Sequence, residues 1–390
     1  MRSLRSMLSV LFLVLFLLPL TVLGASDKPI TIGVLASLTG PMTFQGTAIA
    51  RGFTLALEEV SNRVAGRTIN VIMEDEVVSP AIALTKTQKL VEKDRVDILV
   101  GPVNSAAALA IRDYVVQQKV PWIVPLAMPE NLTLQPLANK YTFRVQVIPS
   151  QANFAFAEWL YKNKGYRKMA GFGMDFPAGR DSVAAFKKGF EQAGGQLVQE
   201  IFTPMNTPDY GPFLSQLRKD VDAAYAWYAG ADAIKFDSQY VDFGLKDKLP
   251  LTGFVGITEE VIMDSVKDLI KGHTVIAPYV PTIDLPENRK FVSAFRAKHN
   301  TDPALPNNNG YDAAKVILAA VNAVKGDLSD KDKLLSAISK VRLNTARGPI
   351  FFDERGQVVA DIFVCVADMK DGRMQNNVVD TIRGVRQRVP

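Results

Sequence analysis

The stretch Val100-Gly-Pro-Val-Asn-Ser105 closes an apolar run and opens an alanine-rich one, so it reads as the joint between a strand and a helix. A helix N-terminus presents unpaired backbone N–H groups and the positive end of the helix dipole. Asn104 or Ser105 can cap that helix, and either can also hydrogen-bond an anion. The chemistry on offer is recognition of a carboxylate, with a plain helix cap as the alternative. Trp227 and Tyr228 close another apolar run just before Gly230, and Phe176 and Ala178 lie in the loop Met174 to Gly179. The carboxyl ends of strands face the ligand in open α/β sheets, so these four side chains read as cleft lining. Tyr279, after a later strand, has core packing as an equal alternative. Enzyme patterns fare poorly, since the chain has no GxSxG elbow, no P-loop and no HExxH. His273 and His299, the only histidines, lie in different segments without metal-ligand spacing. Cys365 sits in an apolar run and reads as buried and inert. The expectation is neither cofactor nor metal.

The elements that must position these residues alternate in type. Strands are predicted at Ile30 to Ala36, Thr68 to Met73, Val96 to Val100 and Val120 to Pro125. Helices at Gly46 to Arg63, Ala81 to Lys93 and Ser105 to Gln118 separate them. Such alternation implies βαβ units and a parallel sheet covered on both faces. The pattern then restarts, with helices at Gln151 to Lys164, Gly179 to Ala193, Tyr210 to Asp220 and Ala231 to Phe243. Strands at Met169 to Gly173, Leu197 to Phe202, Ala223 to Tyr228, Leu251 to Gly256 and His273 to Pro278 lie between and after them. A third block holds helices at Pro286 to His299, Asn309 to Val324 and Lys331 to Val341. A hairpin, Pro349 to Phe352 with Val358 to Val366, turns around Glu354-Arg355-Gly356. Two α/β lobes without a flexible spacer predict a bilobal body with a site in the cleft between the lobes.

Composition limits where such a body works. Arg2 and Arg5 precede an apolar run from Leu8 to Leu18, broken only by Ser9, and Val22-Leu23-Gly24 follows Pro19. Residues 1–26 therefore read as a cleavable signal peptide, too short in its apolar part for the ~20 residues of a membrane span. The expected mature chain is exported, soluble and without cytosolic currencies such as ATP or NAD, which favours binding modules and hydrolases. One cysteine excludes an internal disulfide, and none ends the signal peptide to carry a lipid. A large core must supply the stability instead. The formal charge of +5, less the two signal-peptide arginines, is spread among acidic residues and does not suggest nucleic acid.

At this point the chain resembles a known family. Ile32-Gly-Val-Leu-Ala-Ser-Leu-Thr-Gly-Pro41, Phe44-Gln45-Gly46 and the helix beginning Arg51-Gly-Phe are similar to the amino end of leucine/isoleucine/valine-type periplasmic binding proteins of ABC importers. Val100 to Ser105, Pro121 to Pro125, Tyr141 to Arg144 and Asp175 to Arg180 continue the likeness. So do Asp209 to Phe213, Gly310 to Ala314 and Arg347 to Asp353. The resemblance implies an α/β protein of two Rossmann-like lobes joined by three crossover strands, the class I arrangement. Residues 27–147 plus 279–345 would form one lobe, and 148–278 plus 346–390 the other.

By that resemblance Ser105 sits at the position of a carboxylate-binding serine, and Ala127 would donate its backbone N–H to the same carboxylate. Phe44, flanked by Met42 and Gln45, matches an aromatic residue lining the ligand side chain. Gly40 and Gly46 bracket its loop, which favours the cleft over packing within its own lobe. The family's amine-binding acid falls on Val255, and Met128 replaces a small polar residue. A buried ammonium without a partner costs several kcal/mol. Asp175 could supply the charge, although its usual place is structural. The expected ligand is thus an aromatic or otherwise hydrophobic carboxylic acid, with a branched-chain amino acid or amide as the alternative. The expected partners are that small acid and the permease and ATPase of an ABC importer, with the protein itself a monomer in the periplasm. A ligand sensor for a receptor kinase is a second functional reading, and an amide hydrolase the least supported.

Overall fold

A computed structural model describes residues 28–388 of the 390-residue chain. The expected signal peptide lies outside the described residues. A six-stranded sheet has the order β2-β3-β1-β4-β5-β6. Its strands are β1 (Ile30–Ala36), β2 (Arg63–Val64), β3 (Arg67–Asp75), β4 (Ile98–Val100), β5 (Trp122–Val124) and β6 (Thr142–Arg144). All but β2 run parallel. Helices α1 (Thr43–Glu58), α2 (Pro80–Gln88) and α3 (Ser105–Gln118) connect them.

The second sheet is built around parallel strands β7 (Lys168–Met174), β8 (Gln196–Thr203), β9 (Ala223–Trp227), β10 (Leu251–Phe254) and β11 (Thr274–Ala277). It is extended by β12 (Arg342–Thr345), β13 (Gly348–Phe352), β14 (Val358–Lys370) and β15 (Arg373–Val385), all antiparallel to their neighbours. Its helices are α4 (Pro149–Asn163), α5 (Pro177–Gln192), α6 (Gly211–Leu214), α7 (Gly230–Asp242) and α8 (Glu260–Ile270). Then α9 (Pro286–His299), α10 (Leu305–Ala323) and α11 (Lys331–Ser339) return to the first body, where α10 packs along α1. The chain passes between the bodies three times: after β6, after β11 and after α11. The expected lobe division between 345 and 346 falls in the turn joining β12 to β13, both strands of the second sheet.

Two predicted elements are corrected. The helix expected over Tyr210 to Asp220 is a single turn, α6. Past Ser215 the chain is drawn toward the sheet instead. Gln199 accepts the Arg218 N–H, and Asp222 accepts the N–H groups of Arg167 and Lys168. The strand expected to reach Gly256 stops at Phe254, where Val255–Thr258 forms a 3-10 turn. Four strands were not anticipated at all: β2, β6, β12 and β15. β15 is a polar, half-exposed edge that pairs along the length of β14, so its pattern lacks the apolar run that marked the predicted strands.

The first crossing is tied by buried polar side chains. Arg144 donates to Gln357 Oε1 (2.6 Å), the Pro129 carbonyl (2.8 Å) and Thr133 Oγ1 (2.6 Å). Gln357 Nε2 in turn donates to the Gln146 carbonyl and to Gln151 Oε1, both at 2.8 Å. Beside it lies a buried ion pair, Arg347 with Asp312 at 2.8 Å, and Arg347 also donates to the Val145 carbonyl.

Candidate functional site

The loop after β4 starts α3 with Asn104 as its N-cap, the Asn104 side chain accepting the Ala107 N–H at 3.0 Å. Capping therefore falls to Asn104, and the Ser105 hydroxyl is released from it. Ser105 Oγ accepts the Met128 N–H at 3.2 Å, which links the loop after β4 to the loop after β5. A hydroxyl has one proton to donate and two acceptor positions, so the Ser105 O–H remains free to donate. No hydrogen bond within the described residues engages the amide N–H of Ser105 or of Ala127. The free Ser105 amide and hydroxyl at the N-terminus of α3, with the free Ala127 amide in the loop tied to it through Met128, are donors of the kind an anion cradle uses.

Beneath the cradle is a residue that sequence reasoning missed. Glu76 directly follows β3 and is fully buried. Its Oε1 accepts Ser37 Oγ (2.6 Å), Val103 N–H (3.0 Å) and Asn104 N–H (3.1 Å), while Oε2 has no partner. Burial, the largest influence, holds this carboxyl above the usual carboxylate range against those hydrogen bonds. Val77 and Val78 then turn the chain with φ of 49° and 53°, a left-handed backbone that is strained for β-branched side chains. No spacing rule could flag Glu76, because its partners lie 27 or more residues away in the chain.

Phe44 stands in the first turn of α1, 38 % exposed. The helix start is pulled close to the sheet because Gly46 has no side chain. A Cβ there would lie 2.0 Å from the Ser37 carbonyl oxygen. Met42, at the head of the same helix, receives the Asn104 side-chain amide on its sulfur at 3.9 Å. The Phe44 turn and the cradle are thus neighbours. The Met128 sulfur is held by Gln146 Nε2 at 3.2 Å.

In the second body, Phe176 and Trp227 pack ring against ring with centroids 5.5 Å apart, and Ala178 is buried in the first turn of α5. Val255 is buried in its 3-10 turn. Tyr228 is placed differently from its strand-end neighbour Trp227. Its ring stacks on Phe236 at 4.4 Å and its hydroxyl meets Thr203 Oγ1 at 3.2 Å, so both ends are occupied inside the body. Tyr279 is likewise a core residue, its hydroxyl donating to Asn288 Oδ1 at 3.0 Å. Asp175 is paired with Arg180 at 2.6 Å on the surface.

Two acids missed by sequence reasoning begin α8. Glu259 is buried, its carboxyl group has no hydrogen-bond or ion-pair partner among the described residues, and it is pushed up to about 7 by burial. Glu260 is pushed up to about 8, chiefly by burial, although Asn376 Nδ2 donates to it at 3.1 Å. Glu260 and Phe44 both line a cavity of about 620 Å³ between α1, α8 and the β14–β15 turn. Ser105 and Trp227 are not on its wall. Asp302 and Arg373 form an ion pair at 3.0 Å from opposite sides of that cavity. Among the described residues no cluster of His, Cys, Asp and Glu could hold a metal. His273 is buried 3.5 Å from Asp237, and His299 lies tilted against the Phe295 ring, centroids 4.5 Å apart. Cys365 is buried, which holds its thiol well above the usual range.

The profile of a family described as periplasmic binding protein matches residues 29–373. The chain is 28 % identical over 361 residues to "Leu/Ile/Val-binding protein homolog 6" of Brucella melitensis, covering 90 % of this chain and 91 % of that one. Among solved structures it is similar to an ABC transporter substrate-binding protein from Sphaerobacter thermophilus. That match has 36 % identity and a TM-score of 0.90, covering 92 % of this chain and 99 % of that one. It is also similar to a solute binding protein of an ABC transporter from Rhodopseudomonas palustris BisB5, solved in complex with 3,4-dihydroxybenzoic acid. There the identity is 27 % and the TM-score 0.85, over 92 % and 98 % of the two chains.

Proposed function

This chain belongs to the periplasmic binding protein family, as a solute-binding protein of an ABC transporter and not an enzyme, and from that premise we propose that its ligand is a small aromatic or otherwise hydrophobic carboxylic acid. The observation that carries this reading is the cradle of Ser105 and Ala127, whose free amides and free hydroxyl suit one carboxylate. Phe44 from the first lobe and the Phe176–Trp227 pair from the second would hold the ring, with Met128, Ala178 and Val255 completing the apolar wall. Tyr228 supports that wall from behind through Phe236 and Thr203. The relative that carries 3,4-dihydroxybenzoic acid supports the same ligand class. Closure of the two lobes around the acid would present it to the permease, and residues 1–26 would direct export.

Glu259 favours a second reading. It is a buried, unpartnered carboxyl four residues beyond Val255, and it could accept the ammonium of a branched-chain amino acid. The relative from Brucella is named for such ligands. The two readings separate in one calorimetric comparison of benzoate with leucine, on the mature protein and on Glu259→Gln. Benzoate is expected to bind the mature protein more tightly than leucine, and Glu259→Gln to leave benzoate binding intact or stronger. If leucine binds more tightly and Glu259→Gln weakens it by about tenfold or more, the scale of one lost charged hydrogen bond, the amino-acid reading replaces the aromatic one.

A further inference from the structure

The loop that starts α3 already serves one carboxyl group. The Ser105 amide at the start of α3 is free, and the amides of Val103 and Asn104 just before it both donate to Glu76. Resting on the carboxylate reading above, we propose that Glu76 is the positioning residue of the cradle and takes up a proton when a ligand carboxylate docks above it.

The geometry carries the argument. Glu76 Oε1 gathers three donors, Ser37 Oγ from the end of β1 and the two amides of the cradle loop, and so sets the course of the backbone that leads to Ser105. Oε2 is buried without a partner. One acid nearby makes ionisation harder. Asp75 precedes Glu76 in the chain and is held by Thr39 Oγ1 and the Leu38 N–H. Glu74 is already matched by Lys86 and Lys89. No cation among the described residues pairs with Glu76. A ligand carboxylate on the amide of Ser105 lies one peptide unit from an amide that Glu76 already holds. Two negative charges at that separation, drawing on the same helix dipole, cannot both be stabilised by it. The docked ligand therefore drives Glu76 to its neutral form, which keeps Oε1 as the acceptor for its three donors. The proton comes from solvent. Burial, which already holds Glu76 above the usual range, works in the same direction.

The test uses benzoate and the mature protein, in a Glu259→Gln background so that this second buried acid adds no slope of its own. Calorimetry in buffers of different ionisation enthalpy, between about pH 5.5 and 8.5, reads both affinity and protons exchanged. A one-unit rise in the Glu76 pKa on binding corresponds to an affinity that falls about tenfold as pH rises through the free and bound pKa values, with proton uptake between them. Adding Glu76→Gln keeps an oxygen for the three donors and should abolish both the slope and the uptake. A merely structural role would leave them unchanged in this variant. Benzoate that binds without slope or uptake overturns the inference and leaves the carboxylate reading standing. No benzoate binding at any pH, with leucine bound by the protein that keeps Glu259, overturns both. Should Glu76→Gln fail to fold, carbon NMR of labelled glutamate carboxyls settles the point. The Glu76 titration must move up when benzoate is added, and a titration that stays in place refutes the proposal.

Discussion

Ser105 and Asn104 are adjacent and chemically similar, yet the structure divides two tasks between them. Asn104 caps α3, and Ser105 keeps a free proton while its oxygen ties down Met128. Ser105→Ala is expected to weaken binding of the carboxylate ligand by about 1–2 kcal/mol, the scale of a hydrogen bond to a charged group. Its thermal midpoint should fall only modestly, because the cap is intact and only the hydrogen bond from the Met128 N–H is lost. An equal affinity by calorimetry would remove Ser105 from the site. Sequence reasoning named both residues but could not separate them, since either can cap. Near Val255 it missed an acid for a different reason. A likeness within a loop gives order but not which side chain the loop turns inward. The 3-10 turn buries Val255 and brings an acid, Glu259, to the start of α8. Tyr228 misled because a strand end guarantees proximity to the cleft and not exposure to it. Its ring had nearer partners in Phe236 and Tyr210.

At the scale of elements, the contact of α1 with α10 decides how firmly Phe44 is presented. The two helices approach until backbone meets backbone. A Cβ at Gly52 would lie 1.9 Å from the Asn307 carbonyl oxygen, and one at Gly310 would lie 2.1 Å from that of Ile49. Neither neighbour is a movable side-chain tip, so the helices must separate to admit a methyl group. Gly310→Ala is expected to destabilise by about 3 kcal/mol or more, at the upper end for overpacking, read as a lowered urea midpoint. A midpoint within experimental scatter of the parent would show the interface to be loose. Helical elements of this kind were legible to the residue where a cap or a proline fixed the start, as at Ser105–Gln118 and Pro286–His299. Buried β1 was equally plain, since seven residues with almost no polar character bounded by loops admit little else. Two of the misses, Tyr210 to Asp220 and β15, are segments whose state is set by remote partners. Gln199, Arg167 and Lys168 capture the first, and β14 captures the second.

For the whole molecule, the third crossing leads to a buried charge. Arg347, in the turn between β12 and β13, reaches Asp312 on α10 and the carbonyl of Val145 in the first crossing. Burial outweighs this pairing and holds Asp312 above the usual carboxylate range. Arg347→Met would strand the acid, at a cost of about 3–5 kcal/mol near neutral pH. The sign with pH follows from the shift. Without its cation Asp312 rises further, so the folded chain keeps a proton that the unfolded chain has lost, and stability declines as pH increases. Urea unfolding at acid and neutral pH should show a smaller loss at acid pH. A loss independent of pH would assign it to packing alone. Bilobal character was legible because the alternation of elements restarts after β6. The hinge was not, since Arg144, Gln146, Gln357 and Arg347 read as ordinary polar residues until three distant segments bring them together.

The same threading has a consequence for how the chain acquires its shape. Strands β1 to β6 are complete by residue 144, yet the helix that covers α1 arrives only with residues 305–323. Strand β11 is likewise left with an open edge until β14 reaches it from near the carboxyl end. Each half waits on a segment delivered by the other, so neither can settle while synthesis or transfer is still under way. Acquisition of the native state becomes one late event, triggered by the last strands, and a chain built this way stays pliable for as long as it has to be threaded.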